Sequence, residues 1–530
     1  MSLQLRSQKN KMSNGKAQGV PESSIPMENS LPMGWIDITL DEILQTLESG
    51  SRPKGGVRGI AEGIPSIGGE HIDENGGFRF ETIKFVPHNF FKQMNHGHIQ
   101  TGDILIVKDG ATTGKVALVR DDFPYNPAVV NEHVFICRPA EGIHPPFVFH
   151  FLFSKEGQDR ILENFRGSAQ GGINQSFAPG TSVPLAPLAE QKRIMAKVGE
   201  LLERVNAIKE RLAKVLTILK RFRQSVLTAA CSGRFTADWR DQDTHIKSAA
   251  ELLYNIVEAH EKAGGHKRGN AAPPSEDVHD LSKEDLPISW ELTEMRNLVE
   301  PDRPITYGIL KPGPDIDDGV PYVRVVDFPS DNLNLSTIRR TSKKIEATYS
   351  RARLREGDIL LSIRGTVGRV CIVPRELHNA NITQDSARLT IQRLMNAHFI
   401  AWILRAPSTQ NRMQRAIKGA AIRGINIGDV RALQVPIPPL EEQDKIVRRV
   451  EALFGLADVI EKRVAVATAR ADKLTQAILT KAFRGELVPT EAELARRERR
   501  SYEPASDLLA RIKSERESKQ ASQKVRRNRN

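Results

Sequence analysis

Apolar residues recur in alternating steps of four and three along two long stretches of the chain. In the first they are Ile194, Val198, Leu201, Val205, Ile208, Leu212, Val215, Leu219, Phe222 and Val226. In the second they are Ile446, Val450, Leu453, Ala457, Ile460, Val464, Ala467, Ala471, Leu474 and Ile478. A seam of this spacing, kept over several heptads, predicts long helices that meet along a coiled coil. The second seam carries alanines where the first carries Val205, Val215 and Leu219, so large residues can face small ones. The alternative, each helix packed inside its own domain, stays open on pattern alone. Both stretches open on prolines followed by Glu-Gln, and both stop at a glycine (Gly233, Gly485), the residue that favours a left-handed helix end.

The two stretches are copies. Pro184–Thr236 and Pro436–Val488 align without a gap at an offset of 252 residues, with 16 of 53 positions identical. The repetition therefore extends to the register of every seam residue. It continues outside the helices. Leu31-Pro32-Met33-Gly34-Trp35 corresponds to Leu286-Pro287-Ile288-Ser289-Trp290, and Gly63-Ile64-Pro65-Ser66-Ile67 to Gly319-Val320-Pro321-Tyr322-Val323. Gly102-Asp103-Ile104-Leu105 corresponds to Gly357-Asp358-Ile359-Leu360, and Gly171-Gly172-Ile173-Asn174 to Arg423-Gly424-Ile425-Asn426. Ala249-Ala250-Glu251-Leu252-Leu253 returns as Ala505-Ser506-Asp507-Leu508-Leu509. A period this long is a duplicated domain, not a solenoid.

The predicted organisation follows. Residues 1–30 form a disordered leader, 31–183 a first variable domain, 184–236 the first long helix, and 237–285 a linker with a short helix. Residues 286–435 form the second variable domain, 436–488 the second long helix, and 489–530 a charged helical or disordered tail, with Lys524–Asn530 disordered. The variable domains read as mixed α and β. Asp103–Val107 and Asp358–Ser362 are β-branched runs between glycine turns, as strands are. Phe147–Phe165 and Ala397–Ile417 read as helices. The fold class expected is α+β: two mixed domains and two long helices, with an internal pseudo-two-fold repeat.

Charge narrows the partners. The 77 Lys and Arg against 65 Asp and Glu leave a net +12, which favours a polyanion, usually nucleic acid. Cys137, Cys231 and Cys371 lie far apart, so neither a disulfide framework nor a zinc knuckle is expected. No apolar run approaches the roughly 20 residues of a membrane span. Catalytic motifs are not found either. Gly110–Lys115 has three residues between its glycines where a phosphate-binding loop needs four, and Val116 stands in place of the magnesium-binding hydroxyl. Asn131-Glu132-His133 lacks the second histidine of a zinc helix. Pro124-Tyr125-Asn126-Pro127 has the letters of the amino-methyltransferase signature in the wrong order. The glycine turns, with Lys108, Lys115, Arg364 and Arg369 beside them, instead suit a nucleic-acid phosphate or base edge.

Pro-x-x-Pro-Leu-x-Glu-Gln opening a heptad helix, twice, resembles the conserved regions of type I restriction–modification specificity subunits. The Leu-Pro-x-x-Trp openings, the Gly-Asp-Ile-Leu strands, Ser49-Gly50-Ser51-Arg52-Pro53 and Ile305-Thr306-Tyr307-Gly308-Ile309 are similar to that family as well. The likeness covers roughly 31–488; residues 237–285 and 489–530 are longer than the family's minimal pattern. The resemblance implies that the two long helices form an antiparallel coiled coil separating the two target-recognition domains, and that each of these domains reads one half of a split site in double-stranded DNA. It implies two methyltransferase subunits binding S-adenosylmethionine, and ATP-using, magnesium-dependent restriction and translocase subunits. It implies no cofactor and no catalysis on this chain, no membrane, and a cytoplasmic, DNA-associated place in a bacterium or archaeon. Since the domains differ in sequence, the two half-sites should differ.

Reading bases takes Arg or Lys toward guanine and Asn or Gln toward adenine, while Lys and Arg on phosphates fix position. The motif loops offer Arg52, Lys54, Arg58, Lys108 and Lys115 in the first domain. In the second they offer Tyr307, Lys311, Arg324, Arg364 and Arg369. Asn174 and Asn426 match each other but suit a cap or turn better than a base. Two other readings compete: a coiled-coil scaffold that binds only proteins, and an NTPase or nuclease. The folded basic domains count against the first, and the missing motifs against the second.

Overall fold

The structure, a computed structural model, describes residues 31–167, 171–242, 248–262, 281–330, 332–418 and 423–527. The predicted leader and the Gly264-Gly265 and Pro273-Pro274 stretches lie outside them.

Leu188–Cys231 and Leu440–Phe483 are each a single α-helix of 44 residues. Each starts where prolines can no longer interrupt the hydrogen-bond ladder, with Gln191 N–H donating to Pro187 O and Gln443 N–H to Pro439 O. Gly233 and Gly485 follow at φ 75° and 71°, and at each a Cβ would stand 2.3 Å from a proline ring, that of Pro287 or Pro32. Only glycine fits this backbone and this neighbour.

The chain divides into two compact units, and the division falls inside both helices. Unit one takes Met1–Ile208 with Arg470–Asn530; unit two takes Lys209–Ala469. In unit two, Arg223 pairs with Asp458 at 2.6 Å and Glu461 at 3.2 Å. Beyond the helix end, Asp238 meets Arg449 and Thr236 meets Glu442. Rising numbers on one strand of the coil meet falling numbers on the other, so the helices are antiparallel. In unit one Ile194, Val198 and Val205 share a core with Ala471, Ile478 and Ala482. Two seam positions depart from expectation: Ile208 and Leu474 are 46% and 48% exposed. A pair of helices in water covers only one side of each, and a straight 3.6-residue helix drifts off a 3.5-residue seam.

In unit one the strands are β1 (Ile36–Thr39), β2 (Leu44–Ser49), β3 (Ile64–Ile67), β4 (Lys84–Val86), β5 (Ile104–Val107), β6 (Val116–Leu118), β7 (Val129–Val130), β8 (Val134–Pro139) and β9 (Ser182–Leu185). They form a four-stranded sheet β2-β8-β5-β6, a three-stranded sheet β4-β3-β7 and the pair β1-β9. In unit two the strands are β10 (Glu291–Glu294), β11 (Thr306–Tyr307), β12 (Val320–Val323), β13 (Arg339–Thr341), β14 (Ile359–Ser362), β15 (Val370–Ile372), β16 (Asn381–Ile382), β17 (Ser386–Leu389) and β18 (Gln434–Ile437). Their sheets repeat the plan as β11-β17-β14-β15, β13-β12-β16 and β10-β18. β5 and β14 are buried on both faces, which explains their unbroken apolar runs.

The two predicted domain helices each break in two. Pro145–Phe153 and Lys155–Leu162 meet at Ser154, whose hydroxyl caps the second by accepting from Gly157 N–H at 3.1 Å. Ala397–Arg405 and Pro407–Arg415 meet at Ala406, where a proline in the first turn has no N–H to continue the ladder.

The motifs behind the resemblance hold each domain to its helix. Trp35 Nε1–H donates to Glu190 at 2.9 Å, and Trp290 Nε1–H to Glu442 at 3.0 Å. All four side chains are buried, where an indole N–H needs an acceptor. Gln191 accepts from His144 N–H and donates to Ala186 O; Gln443 accepts from Asn396 N–H and donates to Pro438 O. Asp103 and Asp358 accept from the backbone N–H of Gln100 and Arg355 and take a guanidinium each, Arg138 and Arg303.

The longer segments have matched places too. Helix Ala249–Lys262 puts Ala249 and Ile256 into the core around Trp290, Met295 and Leu298. Helix Ala505–Arg527 puts Ala505, Leu508 and Ile512 into the core around Trp35, Leu40 and Ile43. Ala249 N–H donates to Ser289 O and Ala505 N–H to Gly34 O, both at 2.9 Å. The last helix also takes in Lys524–Arg527, which were expected to be disordered; a helix already docked through Ile512 can propagate past its anchor.

Candidate nucleic-acid interface

At one edge of each larger sheet, four segments converge on a glycine turn. In the first domain β5 ends at Val107. Lys108 N–H donates to His133 O at 2.9 Å, Gly114 N–H to Val107 O at 2.8 Å, and Ile173 N–H to Lys108 O at 2.7 Å. Arg166 and Gly172 exchange a pair of backbone bonds, and Gly50 N–H donates to Asn131 O. The second domain repeats this bond for bond: Ile363 to Asp385, Gly368 to Ser362, Ile425 to Ile363, Lys418 with Gly424, and Gly308 to Thr383. A Cβ on Gly50 or Gly308 would lie 1.6 or 1.9 Å from a carbonyl oxygen of the strand beside it. These motif glycines therefore serve close backbone approach.

The side chains on this common frame differ. In the first domain Arg52 pairs with Glu132 at 2.6 Å, and His133 Nδ1 lies 2.6 Å from Asp109 Oδ1 with Nε2 3.3 Å from Glu132. Lys108 lies over the Phe135 ring at 5.6 Å, and Lys115 pairs loosely with Glu74 at 3.7 Å. Lys54 and Arg58 are exposed on the loop that follows Gly50. In the second domain Arg364 is exposed, with Nη1 donating to Gln384 Oε1 at 3.3 Å. Arg369 donates to Val325 O at 3.1 Å. Tyr307 is half-buried at the end of β11 and Lys311 exposed beyond it, and between them Ile309 O accepts from Gln384 N–H.

The structure thus brings Arg52, Lys108 and Lys115 to one turn, and Arg364 and Arg369 to its counterpart. Arg324 is engaged elsewhere: both arms of its guanidinium hold buried Asp327, at 3.0 and 2.7 Å, and one also bonds Thr337 O. Asn426 caps helix Ile427–Ala432, and Asn174 accepts from Ser176 N–H, as a turn former does. Sequence reasoning missed Asp109, Glu132, His133 and Gln384, together with exposed Arg166 and Lys418. Sliding the repeats over each other could have found Asp109, since the offset that pairs the Gly-Asp-Ile-Leu motifs also sets it against Arg364. In unit two a groove of about 350 Å³ runs from Gly368 and Arg369 to Lys220 and Arg223 of the first long helix, so this turn has further cations beside it.

Two long helices and two matched mixed α/β domains, each with a charged glycine turn, define a protein built twice on one plan. The family model for the type I restriction modification DNA specificity domain matches residues 32–217 and 290–467. The chain belongs to that family, the specificity subunits of type I restriction–modification systems. The type I restriction enzyme EcoBI specificity subunit of Escherichia coli is 39% identical over 308 residues, which is 58% of this chain and 58% of that relative. The EcoKI specificity subunit of Escherichia coli strain K12 is 29% identical over 470 residues, 86% of this chain and 90% of its own. The fold is shared with a chain from a structure described as the structural basis underlying complex assembly and conformational transition of the type I R-M system. There the TM-score is 0.60 at 20% identity, with 86% of this chain and 99% of the other covered. Among the described residues no helix is long and apolar enough to cross a membrane.

Proposed function

We propose that this chain reads an asymmetric, bipartite site in double-stranded DNA, one half with each domain, and directs partner subunits to it. The observation that carries the reading is the pair of edges: one backbone device, made twice, with different charged side chains on each copy. Duplicate frames with different side chains suit two different half-sites, because phosphate contacts position a protein while base-edge contacts specify the sequence. Arg52, Lys54, Arg58, Lys108 and Lys115 serve the first half. Tyr307, Lys311, Arg364 and Arg369 serve the second, and Arg324 supports it through Asp327. Methyl transfer and cleavage belong to two methyltransferase subunits with S-adenosylmethionine and to restriction subunits with ATP and magnesium. The complex works on cytoplasmic DNA.

The test is methylation mapping on a random duplex library with the chain alone and with its methyltransferase subunits. The complex should methylate one bipartite sequence, and the chain alone none. Methyl transfer by the isolated chain, or methylation without sequence preference by the complex, refutes the proposal.

A further inference from the structure

The backbone bonds around the two glycine turns set the residues of one domain against those of the other without ambiguity. Lys108 N–H to His133 O matches Ile363 N–H to Asp385 O, so Glu132 takes the place of Gln384. The bridge of Asp109 to Gly172 matches that of Arg364 to Gly424, so Asp109 takes the place of Arg364. At this one register position the hydrogen-bonding character is opposite. Asp109 with Glu132 offers only acceptors when ionised, whereas Arg364 is a planar fork of donors beside the amide of Gln384.

We propose that the position shared by Asp109 and Arg364 is specificity-determining in each domain, with opposite polarity toward the base it meets. This rests on the DNA-reading role proposed above. In the major groove guanine presents two acceptors, O6 and N7, which an arginine fork matches, while cytosine and adenine present an amino group that a carboxylate can accept from. Arg364 therefore selects guanine in the half-site of the second domain. Asp109 selects a base bearing an exocyclic amino group in the half-site of the first.

An acidic side chain facing a polyanion has to be compensated, and here it is. Arg52 neutralises Glu132 at 2.6 Å, and the His133 ring is held between Asp109 and Glu132. Arg166 and Lys418, exposed at matched places one bridge away from the two positions, are suited to phosphates on either side. Arg364 needs no such screen, and its side chain meets the amide of Gln384.

The experiment selects binding sites from a random duplex library with the chain in complex with its methyltransferase subunits, comparing wild type with Arg364→Lys, Arg364→Gln and Asp109→Asn. Both positions are on the surface, and thermal melting confirms folded protein. Arg364→Lys keeps the charge but loses the fork, so guanine preference at one base pair should fall about 10-fold or more with the salt dependence kept. Arg364→Gln should lose both. Asp109→Asn should relax one position in the other half-site only. If wild type selects a bipartite sequence and all three variants select it with the same discrimination, the inference is overturned while the DNA-reading role stands. If Arg364→Gln retains full guanine preference, another residue reads that base and the inference is likewise overturned. If wild type selects no sequence, the DNA-reading role itself fails.

Discussion

Glu190 and Glu442 occupy the same place in the two units and are held differently. Each is buried and each accepts the indole N–H that ties its domain to its helix. Glu442 also accepts from Thr236 at 2.6 Å and from the guanidinium of Arg240. Glu190 has the backbone N–H of Glu491 at 2.8 Å as its second donor; Arg193 pairs with Glu491 instead, at 2.5 Å. Burial raises the Glu190 carboxyl above the usual carboxylate range, opposed by those two hydrogen bonds. One anchor is thus a buried ion pair and the other a carboxylate held by neutral donors. The repeat preserved the geometry of the joint and let its charge balance drift.

The largest effect should come from making each anchor neutral. Glu442→Gln takes this counter-charge from the half-buried Arg240 and should cost unit two about 2 kcal/mol, somewhat less than breaking a fully buried pair. Glu190→Gln keeps an acceptor for Trp35 and loses about one hydrogen bond, a cost of about 1 kcal/mol. Hydrogen exchange, followed separately on residues of each unit, measures both. Equal losses would mean that Arg240 contributes nothing particular to its joint.

A second contrast lies nearby. His150 on helix Pro145–Phe153 corresponds to Trp402, which does not titrate. Burial, helped by the charge of Arg120, lowers the His150 pKa from 6.5 to about 4. The unfolded chain therefore binds this proton first, and stability is lost as pH falls from about 6.5 toward about 4. The loss should be of order 2 kcal/mol, confined to unit one, and removed by His150→Phe. Parallel acid profiles for the two units would break the contrast.

The smallest effect runs the other way. Because the folded-state pKa of Glu190 is raised, its ionised form weakens unit one at neutral pH. That penalty is relieved as pH falls through the raised value. In a His150→Phe background, unit one should gain slightly on mild acidification, and Glu190→Gln should flatten the profile. A gain that survives Glu190→Gln would assign it to another group.

The parts legible in the sequence were those written locally. The seam spacing yields two helices, and the gap-free repeat yields two domains of one fold. The Trp and Glu-Gln motifs were visible as motifs. That Trp35 bonds Glu190 was not, because the partners lie 155 residues apart and only the folded chain brings them together. The edge was half visible for the same reason. Lys108 and Arg364 sit in glycine turns that announce themselves, whereas His133 reaches Asp109 only through the register of β5 against β8. For Arg324 the sequence left out its partner: Asp327, three residues on and buried, is the one that a capping turn supplies.

The bond from Ala505 N–H to Gly34 O, copied from the one between Ala249 and Ser289, has a consequence for synthesis. The second domain receives its closing helix from the segment just ahead of it. The first receives the same piece from the far end of the chain, with Lys513 reaching Glu42 across 471 residues of sequence. On the ribosome the first domain is therefore begun first and completed only after the second, with Leu40 and Ile43 uncovered until Ala505–Ile512 have been made. A frameshift just ahead of Ala505 would leave the second domain whole and undo the first.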